Sequence, residues 1–225
     1  FSALEPEFAF SPADQWSAMH SFAFGFSVWE TWGPLSTGGC LRIVSEHLRG
    51  DPAAWFRAVL DCQVTVLSIT PSGFRQLLAA DCLPVVPGSL RLIVFSGEAV
   101  NGADVTAWFE HFGKHSPRLI NTYALTETAG RITAHEYLSD SPVEVGSIGR
   151  PVRDAEVFLL DSGQHEVTGG EVGELYIGGP MLAAGYLGEP MLTAERFMTL
   201  DPGDGVVRRL YRTGDRARIT NSGEI

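Results

Sequence analysis

Residues 64–79 read VTVLSITPSGFRQLLA, and this stretch decides the class of fold. Its first part, from Val64 to Thr70, is β-branched or apolar on both faces, which is typical of a strand buried inside a parallel sheet. Pro71 and Ser72 then open a helical pattern, because proline is well tolerated at the first position of a helix. The stretch therefore predicts a strand, a polar loop and a helix in direct succession.

The same succession recurs on both sides of this stretch. Upstream, Asp51 and Pro52 are typical of a helix start, and apolar residues follow at helical spacing up to residue 60. Downstream, residues 90–95 (LRLIVF) predict a second buried strand and a helix follows over 103–112. Residues 118–123 (RLINTY) predict a third strand that ends in a polar loop, ALTETAG. This alternation predicts an α/β fold: a parallel sheet with crossover helices.

The sequence changes character near Ser139. Beyond Gly146 short apolar runs, AEVFLL and GELYIGG, are separated by turn residues, and only residues 191–197 (MLTAERF) have a helical pattern. We therefore predict an α/β subdomain over residues 1–140 and a small β-rich subdomain, barrel-like or a twisted meander, over residues 141–225.

Composition excludes several functions. The chain has 225 residues and a formal net charge of −11, which disfavours binding to the phosphates of nucleic acids. It has no apolar run of about 18 residues, so we expect no membrane contact. Its 3 cysteines are scattered, so we expect neither a disulfide framework nor a zinc site. Unpaired thiols fit a reducing compartment, so we expect a cytoplasmic protein. Because the chain does not begin with Met, we also expect it to be a piece of a longer protein.

Small polar residues follow all three predicted strands, at positions 68–72, 96–98 and 122–128. Ligands of parallel sheets bind beyond the carboxyl ends of the strands. Each segment alone could simply cap a helix, but their convergence favours a site. The loop NTYALTET, at 121–128, is the strongest indication: a ring can stack on a base, hydroxyls can bind phosphate, and a carboxylate can hold Mg²⁺.

Several longer strings carry a family resemblance. In chain order they are HSFAFGFSVWE, VTVLSITPSGFRQLL, LRLIVFSGEA, LINTYALTET, GSIGRPV, GELYIGGPMLAAGYLGEPMLTAERF and YRTGD. From about Phe10 to Ile225 the chain resembles the adenylation domains of nonribosomal peptide synthetases, in the superfamily that includes acyl-CoA synthetases and luciferases. The resemblance implies part of the large N-terminal core of an adenylate-forming ligase. Such an enzyme uses ATP and Mg²⁺ to convert a carboxylic acid into an acyl-adenylate, and the acyl group then passes to the phosphopantetheine thiol of a carrier protein.

The resemblance also implies which residues bind the nucleotide. Thr126 would bond the α-phosphate and Glu127 would coordinate Mg²⁺, so these two are the candidate catalytic residues. Tyr123 would stack on adenine, with Asn121 at its edge, and Asp215 would accept hydrogen bonds from the ribose. The remaining residues of the adenine pocket would be Gly97, Glu98 and Ala99.

The acid pocket departs from the family pattern at Gly25, where the family normally has an aspartate that pairs with the substrate's α-ammonium. Glycine removes that countercharge, so the acid is expected to lack a free α-amine; alternatively, Gly25 merely eases a turn. The other implied pocket residues are Phe26, Trp29, Ser68, Val94, Ser96, Thr122, Gly130 and Arg131.

Arg131 is the second departure, because a guanidinium is unusual in this pocket. It could receive an anionic or strongly polar group of the acid in bidentate fashion. Alternatively, Arg131 extends into solvent or pairs with an acidic residue such as Glu136.

Two family elements have no counterpart in the sequence: the phosphate loop that precedes this region, and the C-terminal subdomain with its catalytic lysine. We therefore expect this chain alone to have negligible adenylation activity. Two other functions stay open. One is a free-standing ligase that transfers the acid to coenzyme A or to a discrete carrier, and the other is a noncatalytic remnant that binds a ligand or partner.

Overall fold

The computed structural model describes residues 8–48, 50–80, 82–128, 130–141, 143, 146–168 and 170–225. Two compact units make up the chain. The first comprises Phe1–Tyr123 and His135–Ser147, and the second comprises Ala124–Ala134 and Ile148–Ile225. The predicted fold class, an α/β part and a β-rich part, is confirmed. The subdomain boundary at residue 140 stays a prediction.

The first unit contains a parallel sheet with strands in the order β2-β1-β3-β4-β5. The strands are β1 (Gln15–Ala18), β2 (Cys40–Ile43), β3 (Val66–Ile69), β4 (Leu92–Phe95) and β5 (Arg118–Leu125), whose last two residues belong to the second unit. The helices are α1 (Phe26–Thr37), α2 (Pro52–Asp61), α3 (Pro71–Ala79) and α4 (Gly102–Phe112). All residues of β3 and β4 are buried, as their apolar sequences predicted.

Local sequence signals explain where the helices begin. Asp51 caps α2 by accepting a hydrogen bond from the Ala54 N–H, and Thr70 caps α3 through the Gly73 N–H. Helices α3 and α4 contribute Phe74 and Trp108 to the core, where their rings pack 5.1 Å apart. Strands β1 and β2 were not predicted, because their sequences, QWSA and CLRI, are not continuous apolar runs and both strands are only partly buried.

The second unit contains an antiparallel sheet with strands in the order β10-β11-β9-β8. Before this sheet, β6 (Gly130–Tyr137) starts in the second unit and pairs antiparallel with β7 (Arg150–Pro151). The strands of the sheet are β8 (Glu156–Leu160), β9 (Gly173–Gly178), β10 (Phe197–Leu200) and β11 (Arg208–Ala217). The helix α5 (Pro190–Arg196) directly precedes β10. Among the described strands β8 and β10 are edges, so the predicted barrel-like closure is not seen there.

No helix within the described ranges is long and apolar enough to cross a membrane.

A buried carboxylate connects the amino-terminal ends of three strands in the first unit. The Asp14 side chain is 3% exposed and accepts hydrogen bonds from Arg91 Nε and Nη2 at 2.7 and 2.8 Å. Its Oδ1 also accepts one from Thr65 Oγ1 at 2.7 Å. Burial raises the pKa of Asp14, but the bonds from Arg91 and Thr65 outweigh it, so the pKa lies below its ordinary value. The stabilisation is therefore complete above the unfolded pKa of about 3.9 and is lost as pH falls through the folded pKa.

We predict that Asp14→Asn lowers the free energy of unfolding by about 1–3 kcal/mol at pH 7, because the Arg91 guanidinium loses its carboxylate partner. Asp104→Asn is the matched control, since its partner Arg75 is 54% exposed and such pairs contribute about 0–1 kcal/mol. Urea denaturation of both variants at pH 7 and at low pH measures the effect. Equal losses at pH 7, or a loss for Asp14→Asn that does not shrink in acid, would contradict the role of this pair.

Candidate functional site

Strands β3 and β4 end side by side at one edge of the first unit's sheet, next to β5. Ile69 is paired with Phe95, and Phe95 with Asn121, and β5 continues beyond this level to Leu125. The first two loops are bonded together: the carboxylate of Glu98 accepts hydrogen bonds from Ser72 N and Ser72 Oγ at 3.0 and 2.9 Å. The first two of the three predicted loops therefore lie together, and the convergence of all three stays a prediction.

The segment Gly97–Glu98–Ala99 is exposed after β4. Gly97 has φ +90°, and a Cβ there would lie 2.9 Å from Phe24 Cζ. Both the backbone angle and the nearby ring therefore require glycine. An exposed backbone of this kind can approach a planar ligand closely, in keeping with the predicted adenine pocket.

Two side chains before the third loop, Asn121 and Thr122, make hydrogen bonds within the protein. Asn121 is buried and its Nδ2 donates to the Ser147 carbonyl at 2.9 Å. Thr122 is buried and its Oγ1 donates to the Phe95 carbonyl at 2.7 Å. The Asn121 amide retains its carbonyl oxygen and a second N–H for a ligand. Tyr123, predicted to stack on adenine, is half-buried.

The predicted acid-pocket residues of the first unit are buried, except for Gly25. The Trp29 ring packs against the rings of Phe10 and Trp16, before and at the start of β1, with centroids 5.4 and 5.0 Å away. Gly25 is the N-cap of α1, has φ −54° and ψ −24°, and is exposed. Any residue adopts that conformation, so the alternative in which glycine eases a turn has no support from the backbone. A Cβ built at Gly25 meets no described atom within 4 Å, which leaves open space there. The buried members of the set are Phe26, Trp29, Ser68, Val94 and Ser96.

A buried pair that the sequence analysis missed holds the segment containing Gly25. Glu30, in α1, is 1% exposed; its Oε1 lies 2.7 Å from His20 Nδ1, and its Oε2 accepts the N–H groups of Met19 and His20. The His20 ring stacks on Phe26 with centroids 4.6 Å apart. The end of β1 is thus fixed to α1 on either side of Gly25. A signal was available, since Glu30 is an acidic residue within an otherwise apolar helix start.

The second unit contains the two candidate catalytic residues. Thr126 and Glu127 lie in a single 3₁₀ turn, Thr126–Thr128, where Thr126 is exposed and Glu127 is half-buried. The buried Thr128 closes the turn, because its hydroxyl donates to the Leu125 carbonyl at 2.9 Å. Tyr186 OH donates to Glu127 Oε1 at 2.6 Å. Burial and this bond raise the pKa of Tyr186.

Asp215 lies at an irregularity in β11. The pairing of β11 with β9 shifts register between Arg212 and Arg216, and Gly214 has φ +88°. The Asp215 N–H donates to Thr213 Oγ1, and that hydroxyl donates to the Leu175 carbonyl. Such a bulge redirects a side chain away from the sheet, and Asp215 is exposed.

Arg131 follows the exposed Gly130 in β6 and is itself buried. Burial excludes the alternative in which its guanidinium extends into solvent. Glu136, the other proposed partner, accepts hydrogen bonds from Arg118 Nε and Nη2 at 2.8 and 2.7 Å.

Comparison with protein families decides the affiliation. The family model described as AMP-binding enzyme matches residues 1–187. The chain belongs to the AMP-binding enzyme family.

Two curated relatives refine this affiliation. The chain is 42% identical to a dimodular nonribosomal peptide synthase of Bacillus subtilis, over 100% of the chain and 10% of that protein. It is 40% identical to the syringomycin synthase SyrB1 of Pseudomonas syringae pv. syringae, over 96% of the chain and 35% of that protein. The chain thus spans at most about a third of these two AMP-binding relatives, and the predicted resemblance to peptide synthetases is confirmed.

Solved structures agree with the family. The adenylation domain AlmE of Vibrio cholerae, in complex with glycyl-adenosine-5'-phosphate, matches with a TM-score of 0.84 and 26% identity, over 100% of the chain and 42% of AlmE. Holo-PA1221, a peptide synthetase protein containing adenylation and PCP domains, matches with a TM-score of 0.86 and 28% identity, over 96% of the chain and 37% of PA1221.

The donor set of the second unit of this AMP-binding chain fits Mg²⁺. Within the residues described, no group of three or more His, Cys, Asp or Glu could hold a metal ion by itself. Mg²⁺ is usually bound by one or two carboxylates together with substrate phosphates. Glu127 offers such a carboxylate, and the neighbouring Thr126 hydroxyl is exposed for a phosphate oxygen.

Proposed function

We propose that this chain is part of an adenylation domain of a nonribosomal peptide synthetase, which activates a carboxylic acid as its acyl-adenylate. One observation carries the proposal: a fixed turn places the exposed Thr126 beside Glu127, whose carboxylate is held by Tyr186. The family and the adenylate-bound relative support ATP as the nucleotide.

The reaction needs little covalent chemistry from the protein. A carboxylate oxygen of the acid attacks the α-phosphorus, the bond to the bridging oxygen breaks, and pyrophosphate leaves with that electron pair. Thr126 donates a hydrogen bond to an α-phosphate oxygen, and Glu127 would hold Mg²⁺, which neutralises charge that develops on the phosphates. Tyr123 stacks on adenine and Asp215 accepts hydrogen bonds from the ribose hydroxyls.

We further propose that the acid lacks a free α-amine. The position normally occupied by aspartate is Gly25, and nothing described within 4 Å replaces its charge. An ammonium beside a buried apolar residue such as Phe26 would be costly without a countercharge. Aryl, hydroxy, keto and N-acylated acids avoid that cost.

Arg131 is proposed to meet a second anionic or strongly polar group of the acid. Its burial supports a role inside the protein. A guanidinium recognises a carboxylate or a similar group with two parallel hydrogen bonds.

The acyl group is proposed to pass to the phosphopantetheine thiol of a carrier domain, as the pairing of adenylation and PCP domains in PA1221 suggests. The family's phosphate loop and lysine subdomain have no counterpart in residues 1–225, so we propose that this chain alone has negligible activity. Experiments on activity therefore use the complete protein.

We predict that Glu127→Gln lowers ATP–pyrophosphate exchange by about 100-fold or more without unfolding the protein, because a charged ligand to Mg²⁺ is lost. Glu195→Gln is the control, since Glu195 is a 62% exposed carboxylate of the same unit. Exchange is measured with a panel of acids. Near-normal exchange by Glu127→Gln would refute the metal role, and no exchange with any acid by the wild type would favour a noncatalytic remnant.

We predict that Gly25→Asp lowers exchange with the best acid of the panel by about tenfold or more and raises it with α-amino acids, because a carboxylate repels the former and pairs with the latter. Gly50→Asp, which also has open space around its Cβ, controls for the added charge. An unchanged order of preference would show that Gly25 does not face the acid.

We predict that Arg131→Ala raises the KM for the best acid about tenfold or more, since a charge-assisted hydrogen bond contributes about 1.5–3 kcal/mol. An analogue that lacks the second polar group should be insensitive to the same change. Arg212→Ala, which removes an exposed guanidinium paired with Glu174, is the control. Equal effects on both acids would disprove recognition by Arg131.

A further inference from the structure

We propose that Tyr186 is a positioning residue that fixes the Glu127 carboxylate for Mg²⁺, an inference that rests on the proposed function. Sequence analysis assigned no role to this tyrosine, which lies 59 residues further along the chain. All the contacts that carry the proposal lie within the second unit.

Glu127 is held at two points by the loop that contains Tyr186. The Tyr186 hydroxyl donates to Oε1 at 2.6 Å, and the Ala183 N–H donates to the Glu127 main-chain carbonyl at 2.7 Å. The first bond sets the direction of the carboxylate and the second sets the backbone beneath it. A carboxylate has about four lone-pair positions, so one phenol leaves others for a metal ion.

A second phenol lies beside the first. Tyr211 OH is 3.3 Å from Tyr186 OH, Tyr211 is buried in β11, and its hydroxyl also interacts with the Glu127 carboxylate. The single hydroxyl proton of Tyr186 goes to Glu127 Oε1. The Tyr186 oxygen can then accept from Tyr211, so that the bond to Glu127 is strengthened by a second donor.

Further contacts hold the loop that contains Tyr186 in place. Arg209 donates from Nη1 to the Ala183 carbonyl and from Nη2 to the Ala184 carbonyl, each at 2.8 Å. Its guanidinium lies 4.5 Å from the centroid of the Phe197 ring. The Tyr186 N–H donates to Thr193 Oγ1 at 2.9 Å, which connects the loop to α5. Groups that orient a metal ligand in this way typically affect metal affinity by about 10–100-fold.

The test compares Tyr186→Phe with Tyr176→Phe in the complete protein. Tyr176 is a phenol of β9 in the same unit that lies near Glu174 and Arg212 and has no described bond to Glu127; it is buried, whereas Tyr186 is half-buried. The probe is Mn²⁺, titrated by EPR in the presence of α,β-methylene-ATP, with thermal melting as a check of folding. We expect about 10–100-fold weaker Mn²⁺ binding for Tyr186→Phe and no more than about a twofold change for Tyr176→Phe. A Tyr186→Phe affinity equal to that of Tyr176→Phe overturns the proposal.

Glu127→Gln separates the two levels of inference. If Glu127→Gln weakens Mn²⁺ binding but Tyr186→Phe does not, the positioning role fails and the proposed function stands. If Glu127→Gln has no effect on Mn²⁺ binding, the metal role of Glu127 in the proposed function fails, and the positioning role with it. Should Tyr186→Phe not fold, Arg209→Lys releases the two carbonyls of the loop while keeping the phenol. Weaker Mn²⁺ binding by that variant supports the proposal, and wild-type binding overturns it.

Discussion

Parallel register among β3, β4 and β5 is the constraint on which the first unit depends. Ile69, Phe95 and Asn121 are aligned across the three strands, so β3 and β4 end level with Asn121 while β5 continues to Leu125. Strands β3 and β4 are buried on both faces, so their register is fixed by packing as well as by hydrogen bonds. A displaced register would separate the exposed backbone at Gly97 from Asn121.

The opposite edge of the same sheet shows how that register is secured. Asp14 precedes β1, Thr65 precedes β3 and Arg91 precedes β4, and the three side chains form one hydrogen-bonded group. Polar groups with little solvent access stabilise a structure only when each has partners, and here the Asp14 carboxylate has them. This group lies at the amino-terminal edge, away from the carboxyl edge where the proposed ligand contacts lie.

The second unit holds the carboxylate of Glu127 in a half-buried turn by means of a hydroxyl donor. A hydroxyl donor satisfies part of the Glu127 carboxylate without neutralising its charge, whereas an arginine or lysine partner would compete with a metal ion. The two tyrosines provide this kind of support. The Arg209 guanidinium acts further away, on the carbonyls of the loop, where it stabilises the backbone and not the carboxylate.

Local sequence determined a large part of this protein. Apolar, β-branched runs predicted β3 and β4, and the run RLINTY predicted the first part of β5, because strands buried in a parallel sheet are mostly apolar on both faces. The helix starts at Asp51 and Thr70 follow from side chains that bond N–H groups three residues away. The strings around Glu127 and around Asp215 indicated the family, because the residues that form each string follow one another in the chain.

Only the tertiary structure decided the contacts between distant residues. Asp14 and Arg91 are 77 positions apart and Glu127 and Tyr186 are 59 apart, and no local periodicity links either pair. The short strands β1 and β2 and the buried pair of His20 and Glu30 likewise depend on neighbours that the fold provides. The physical reason is that hydrophobic patterning reports how much of a residue is covered, whereas the partner of a polar group is set by which segments the packed sheet brings together.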